Sequence, residues 1–233
     1  MTKSENETRE QRILDAASDL FVRYGYDKTT VSDIARQAGV SKGAIYLHFQ
    51  SKDALLEGLI IREMQTYAEQ WLALMEADPQ GGTIAALYKN SLYAMSSSPF
   101  MSAMFRQDGR ILGNYLRKPG NFFKAMRDNQ EHSDRFLFVT MMQNAGAIRQ
   151  DIDAKVVAHI MNMLAFGLVG MEGIVPEADI PSIDETIEGI AAIMDSALTP
   201  AGGGNSQAGK EVVRQIVAAT RQQFESMKRP AQE

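Results

Sequence analysis

The segment VSKGAIYLHFQSKDAL, residues 40–55, sets Lys42, Tyr46, His48 and Lys52 within a stretch that holds a single acid, Asp53. Their side chains are cations or hydrogen-bond donors, suited to holding anions and phosphates above all. The chain around them is acidic, with a formal net charge of −5. Such a segment therefore needs a local purpose.

The elements that must position these side chains follow residue by residue. Thr30, with Asp33 three residues later, has the spacing of a capping box that starts a short helix through Ala38. Gly39 can take the left-handed conformation that ends it, and Ser41 caps a second short helix. Gly43 and Ala44 leave the start of that helix unobstructed, and Ile45 and Phe49 face inward. Two short helices joined by a Gly-containing turn make a helix-turn-helix, whose second helix enters a major groove N-terminus first. Lys42 then reaches a phosphate or a guanine edge, and Tyr46 and His48 reach the sugar-phosphate backbone. Ser51 caps the next helix, so that Lys52 and the first-turn N–H groups offer a second phosphate point. From Arg23 to Lys52 five basic residues stand against two acidic ones. A capped helix pair of this kind also occurs in proteins that never touch DNA.

The whole chain has 233 residues and 45% hydrophobic composition, sufficient for a substantial core. It has no cysteine, which excludes disulfides, thiolate metal sites and Cys nucleophiles. The polar start MTKSENETREQR lacks the apolar core of a signal peptide. The apolar window 156–175 holds His159, Asn162 and Glu172 and reads as a buried helix rather than a membrane span. The expectation is a cytoplasmic protein.

Apolar spacing is helical almost throughout, and no alternating strand or hairpin pattern is convincing. The pattern predicts an all-α chain with helices near 6–24, 31–38, 42–48, 52–77, 82–96, 100–115, 119–131, 133–147, 153–173 and 183–198. Prolines fall where the periodic runs break, with Pro230 in the tail. The expected organisation is an N-terminal three-helix DNA-binding domain over 1–51 and a larger helical effector-binding and dimerisation domain over 52–198. A flexible Gly/Ala/Ser linker follows over 199–210, and an accessory amphipathic helix and tail over 211–233.

The run GYDKTTVSDIARQAGVSKGAIYLHFQSKDALL resembles the DNA-binding domain of the TetR family of bacterial transcriptional regulators. The resemblance covers about Ile13 to Leu56 and rests jointly on TTV, IA, AGVS, G-x-x-Y, HF and SK. It implies that Thr30, Ser41, Lys42, Gly43, Tyr46, His48 and Lys52 contact operator DNA, mostly at phosphates, with Ala44 beside them. Leu47 departs from the pattern, in which many members carry a second aromatic there. The resemblance also implies a homodimer, a small-molecule cavity in the later helices, and a long helix from about Lys52 acting as a lever. Two recognition helices about 34–36 Å apart would read successive major grooves, which supports a dimer on symmetry grounds as well.

The expected dimer interface is a four-helix bundle from 153–173 and 183–198 of each subunit, with Ala165, Gly167 and Gly170 for close approach and Met163, Phe166, Ile187, Ile190 and Ile193 as apolar surface. The same faces could instead pack within one subunit. Candidate effector contacts are Met64, Tyr67, Trp71, Tyr88 and Met104, followed by Phe105, Phe123, Phe138 and Met142, because Met and aromatic side chains adapt to apolar ligands. Stripes of this kind are also ordinary core. Arg106, with Arg110 one helical turn on and Asn114 a turn further, could hold an acidic head group or form a solvated face.

His132 and His159 have no partner at metal-ligand spacing, so no metal or cofactor is expected. The chain has no HExxH, phosphate-cradling Gly loop or nucleophile elbow, which argues against an enzyme. The expected function is a ligand-responsive transcriptional regulator, a repressor, that binds a palindromic operator as a homodimer and is released by a small apolar or aromatic effector. The alternative is a helical partner-binding protein that uses the helix-turn-helix only as a DNA anchor.

Overall fold

The computed structural model describes residues 3–171 and 176–228. The last two residues of the helix expected over 153–173, and the tail containing Pro230, lie outside the described residues. The described chain is helical, without a strand: α1 (Lys3–Tyr24), α2 (Val31–Ala38), α3 (Lys42–Tyr46), α4 (Lys52–Ala77), α5 (Ile84–Ser96), α6 (Pro99–Arg106), α7 (Gly109–Leu112), α8 (Phe122–Asp128), α9 (Asp134–Asn144), α10 (Ala154–Gly170), α11 (Ile183–Leu198) and α12 (Ser206–Lys228). No described helix is long and apolar enough to cross a membrane.

The chain divides into two compact units, and the boundary falls within α4. The first takes residues up to Met64 together with Ser98–Asn129. The helix-turn-helix unit is thus larger than the expected 1–51, because α6 to α8 share its core. Ile13, Phe21, Ile34, Ile45, Leu55, Leu56 and Leu59 of α1 to α4 pack with Phe100, Leu112 and Tyr115, all fully buried. Tyr115 gives the added helices a polar tie, since its hydroxyl donates to Glu57 Oε1 at 2.9 Å and accepts from the Phe122 N–H at 2.9 Å.

The helix expected over 100–115 is broken. Gln107 caps α6 in the left-handed region at φ 51°, and Asp108 then caps α7 by accepting from the Arg110 N–H at 2.8 Å. A 3-10 turn, Gly113–Arg117, follows. An Asp able to start a helix outcompeted continuation of the old one. Arg106 and Arg110 consequently do not project from one helix face: both guanidiniums turn toward Asp108, at 3.4 and 2.9 Å.

The second unit holds Gln65–Ser97 and the chain from Gln130 on. Here α5 packs on α11, and α9 packs on α10 and α12. Thr83, Ser133, Asp153 and Ser182 cap α5, α9, α10 and α11 through their side-chain oxygens, Ser182 in a full capping box with Glu185. The expected linker 199–210 is shorter than read, since α12 begins at Ser206. That last helix docks by burying Val212, Val213, Val217 and Phe224, and Arg214 pairs with Glu76 at 2.7 Å.

Candidate nucleic-acid interface

The local architecture from Thr30 to Phe49 matches its sequence logic. Thr30 Oγ1 accepts from the Asp33 N–H, and Asp33 Oδ2 accepts from the Thr30 N–H, both at 3.2 Å. Gly39 lies at φ 65°, in the left-handed region, and its N–H donates back to the end of α2. Ser41 Oγ accepts from the Ala44 N–H at 3.1 Å and starts α3. Ile45 and Phe49 are buried and fix which side of α3 faces the core.

The opposite side is open. Ser41, Lys42 and Gly43 are exposed and Ala44 is half-buried. Tyr46 and Leu47 are exposed large hydrophobics, Leu47 at 83%. A methyl group added at Gly43 would meet only Ser41 Oγ, at 3.9 Å, so another backbone can approach closely there. Thr30 and Lys28 are exposed beside this surface, and Arg36, paired with Asp33 at 2.8 Å, keeps its side chain 80% exposed.

Two expected contacts are placed differently. The His48 side chain is 7% exposed, with Nδ1 3.7 Å from Glu10 Oε2 of α1. Ending α3 at Tyr46 turns His48 inward toward α1. Lys52 is half-buried: its Nζ donates to the carbonyls of Tyr26 and Thr29 at 2.8 and 3.1 Å and lies 3.9 Å from the Tyr26 ring centroid. Burial lowers its pKa first, with Lys118 acting the same way and Asp27 and Asp53 opposing.

Sequence reasoning missed the network behind Lys52. Lys118 Nζ binds both oxygens of Asp53, at 2.7 and 2.5 Å, and the Tyr26 hydroxyl donates to Asp53 as well. Burial and the Asp53 carboxylate push the Tyr26 phenol up. Asp27 accepts from the Asn114 N–H at 3.2 and 3.1 Å. The sequence carries no periodic signal for these links, because each joins residues more than twenty positions apart.

The ten candidate effector residues do not fall into one compact unit. Met64, Met104, Phe105, Arg106 and Phe123 belong to the first, where Met104 is core and Met64 and Phe123 pack against it. Tyr67, Trp71, Tyr88, Phe138 and Met142 belong to the second. There Tyr67 stacks on Trp71 with centroids 6.3 Å apart, and Phe138 meets Trp71 edge-on at 5.8 Å. Trp71 Nε1 donates to the Leu87 carbonyl at 2.9 Å, and the Tyr88 hydroxyl donates to the Met161 carbonyl. Among the described residues no cluster of His, Asp or Glu has a metal-binding arrangement.

A capped helix pair with an exposed, positively charged second helix defines a helix-turn-helix protein. Residues 13–59 match the family described as bacterial regulatory proteins, tetR family. The chain is 43% identical over 54 residues to the A-factor receptor protein of Streptomyces griseus, covering 23% of this chain and 20% of the relative. It is 44% identical over 59 residues to the HTH-type transcriptional regulator SrpR of Pseudomonas putida, covering 25% and 28%. These alignments thus span under a third of either relative's own length. Among solved structures, NalD, the secondary repressor of the MexAB-OprM multidrug efflux pump in Pseudomonas aeruginosa, superposes with a TM-score of 0.57 over 85% of this chain and 100% of its own, at 19% identity. That likeness concerns the fold alone. The likeness to the tetR family of bacterial regulatory proteins lies in residues 13–59, about a fifth of the chain.

Proposed function

We propose that the chain is a ligand-responsive transcriptional repressor that binds a palindromic operator as a homodimer. The observation that carries this reading is the exposed start of α3. Lys42, Gly43 and Tyr46 project outward while the Ser41 cap, Ile45 and Phe49 hold the helix in place. An N-terminus presented in this way can enter a major groove, with Lys42 at a phosphate or guanine edge and Tyr46 at the backbone. Thr30, Ser41 and Ala44 flank it, and the exposed Leu47 adds an apolar contact suited to a thymine methyl. His48 and Lys52 act behind this surface, orienting it from within.

The dimer rests on α10 and α11, where Met163, Phe166 and Ile193 are exposed. An apolar or aromatic effector shifts the population toward a form whose recognition helices no longer match the operator. A coupling in the usual allosteric range weakens operator binding by roughly 5- to 150-fold.

The test is a gel-shift titration with DNA from the chain's own upstream region at several salt concentrations. Affinity should fall steeply with salt, and Lys42→Ala and Tyr46→Ala should each weaken binding without altering the circular dichroism spectrum. Binding by both variants equal to that of the original chain would refute the assignment.

A further inference from the structure

The second unit half-buries a cation that no described carboxylate pairs with. Arg135 lies in the first turn of α9, with its guanidinium carbon 5.5 Å from the centroid of the Tyr88 ring. Among the described residues, no hydrogen bond or ion pair engages its donors. Its sequence neighbour Asp134 feels its charge, but that carboxylate accepts instead from Gln130 Nε2 at 3.1 Å. A guanidinium withdrawn from water without a carboxylate is costly, and buried arginines are nearly always paired. The position adds to the cost, because a cation in the first turn opposes the helix dipole. An anion at this place offsets both terms, since it is attracted by the guanidinium and by the helix N-terminus alike.

The surroundings indicate what the rest of such an anion would be. Tyr88 stands next to Arg135, and its carbonyl accepts from Ser91 Oγ at 2.7 Å. Burial pushes the Tyr67 phenol up and the Tyr88 phenol to about 12, and in both cases the Arg135 charge acts in the opposite direction. Arg135 lies against Tyr88, and Phe138 follows it one helical turn later on α9. From Tyr67 the stack continues into Trp71 and Phe138, a wall of aromatic faces and edges. Arg106, the arginine that the sequence offered for an acidic head group, turns instead toward Asp108 in the first unit.

We propose that the effector is a hydrophobic carboxylic acid whose carboxylate pairs with Arg135 and whose ring or chain lies against Trp71 and Phe138. This rests on the effector-responsive reading above and sharpens it from an apolar ligand to an amphipathic acid. The carboxylate supplies the charge that Arg135 lacks, and the aromatic wall takes up the apolar body.

Trp71 is the only tryptophan of the chain, so its emission reports directly on this site. The full-length protein is titrated with 4-phenylbutyrate and 4-cyclohexylbutyrate, each against its primary amide. The acids should change Trp71 emission saturably and bind about 10- to 100-fold more tightly than the amides, the worth of one charge-assisted contact. Arg135→Gln should abolish that preference, and Arg135→Lys should retain part of it, with thermal unfolding of the free protein no lower than that of the original chain and raised in Arg135→Gln, which removes the unpaired charge. Equal binding of acid and amide would overturn the proposal. So would acid binding by Arg135→Gln as tight as the original, or the absence of any emission change with either acid.

Added operator DNA separates this inference from the one it rests on. Acids that bind through Arg135 yet leave DNA bound support the site and refute the switch. Release by the amides as effective as by the acids overturns the acid class and leaves the switch standing.

Discussion

The ammonium of Lys52 lies 3.9 Å from the ring centroid of Tyr26 and donates to the carbonyls of Tyr26 and Thr29, so it ties the start of α4 to the turn before α2. A lysine held this way serves to orient the helix-turn-helix. Lys52→Met should lower unfolding stability by about 1–2 kcal/mol, from the lost cation–π and charged hydrogen bonds. Lys42→Ala, an exposed change, should leave stability within about 0.5 kcal/mol and weaken DNA binding instead. Urea unfolding and gel shifts on the two variants check this separation. Lys52→Met with unaltered stability would return Lys52 to the phosphate-binding role that its sequence position suggested.

The first unit should lose stability in acid through identifiable carboxylates. Burial alone would raise Asp53, but the bonds from Lys118 and Tyr26 outweigh it and hold the group below its ordinary value. The bond from Arg110 holds Asp108 low in the same way, against its burial. An unfolded Asp titrates near about 3.9, so as pH falls the unfolded chain takes up these protons first. The contribution is therefore complete above about pH 5 and disappears as pH falls through the depressed folded values. Calorimetric Tm should drop between pH 5 and pH 3 (about one unit either side of the unfolded value), and Asp53→Asn should make that drop shallower. An unchanged slope in Asp53→Asn would remove Asp53 from the account.

The outer surface of α10 and α11 makes a different prediction. Met163, Phe166 and Ile193 are 60%, 54% and 62% exposed in the single chain, a concentration of large apolar groups that water disfavours. Both side chains are more than half exposed, so Phe166→Glu and Ile193→Glu should change monomer stability by no more than about 0.5 kcal/mol. Each should shift sedimentation from dimer to monomer and weaken operator binding, since one recognition helix alone gives little affinity. Variants that remain dimeric would place the interface elsewhere.

What the sequence made legible was local. The caps at Thr30 and Ser41, the left-handed Gly39 and the inward Ile45 and Phe49 each depend on residues within four positions of one another, and each appears as read. The helical character of the chain followed from the same short-range periodicity. Contacts between distant segments left no such trace. Nothing near Lys52 announces Tyr26, nothing near Asp53 announces Lys118, and the break at Gln107 hides inside a run whose apolar spacing continues across it. The inward placement of His48 has a related cause: it depends on where α3 ends and on Glu10 of α1, neither of which a motif contains. Residue type alone marks the effector candidates in the sequence, and type says nothing of which compact unit holds each.

The docking of α12 turns on two glycines. A Cβ at Gly209 would lie 2.0 Å from the Gly82 carbonyl oxygen, and one at Gly82 would lie 1.7 Å from the Ser206 carbonyl oxygen. Backbone therefore meets backbone, with no flexible side chain to give way. Intrinsic propensity argues the other way, since Gly to Ala inside a helix is worth up to about 1 kcal/mol of added stability. Gly189, exposed within α11 with open space where a Cβ would project, isolates that term. Gly189→Ala should thus raise Tm, whereas Gly209→Ala should lower it, because overpacking against a fixed backbone costs about 1–3 kcal/mol or more. Limited proteolysis should cut Gly209→Ala near residues 199–205 faster than the original chain. A rise in Tm for both variants would show that α12 stays docked without the close approach of Gly82 and Gly209.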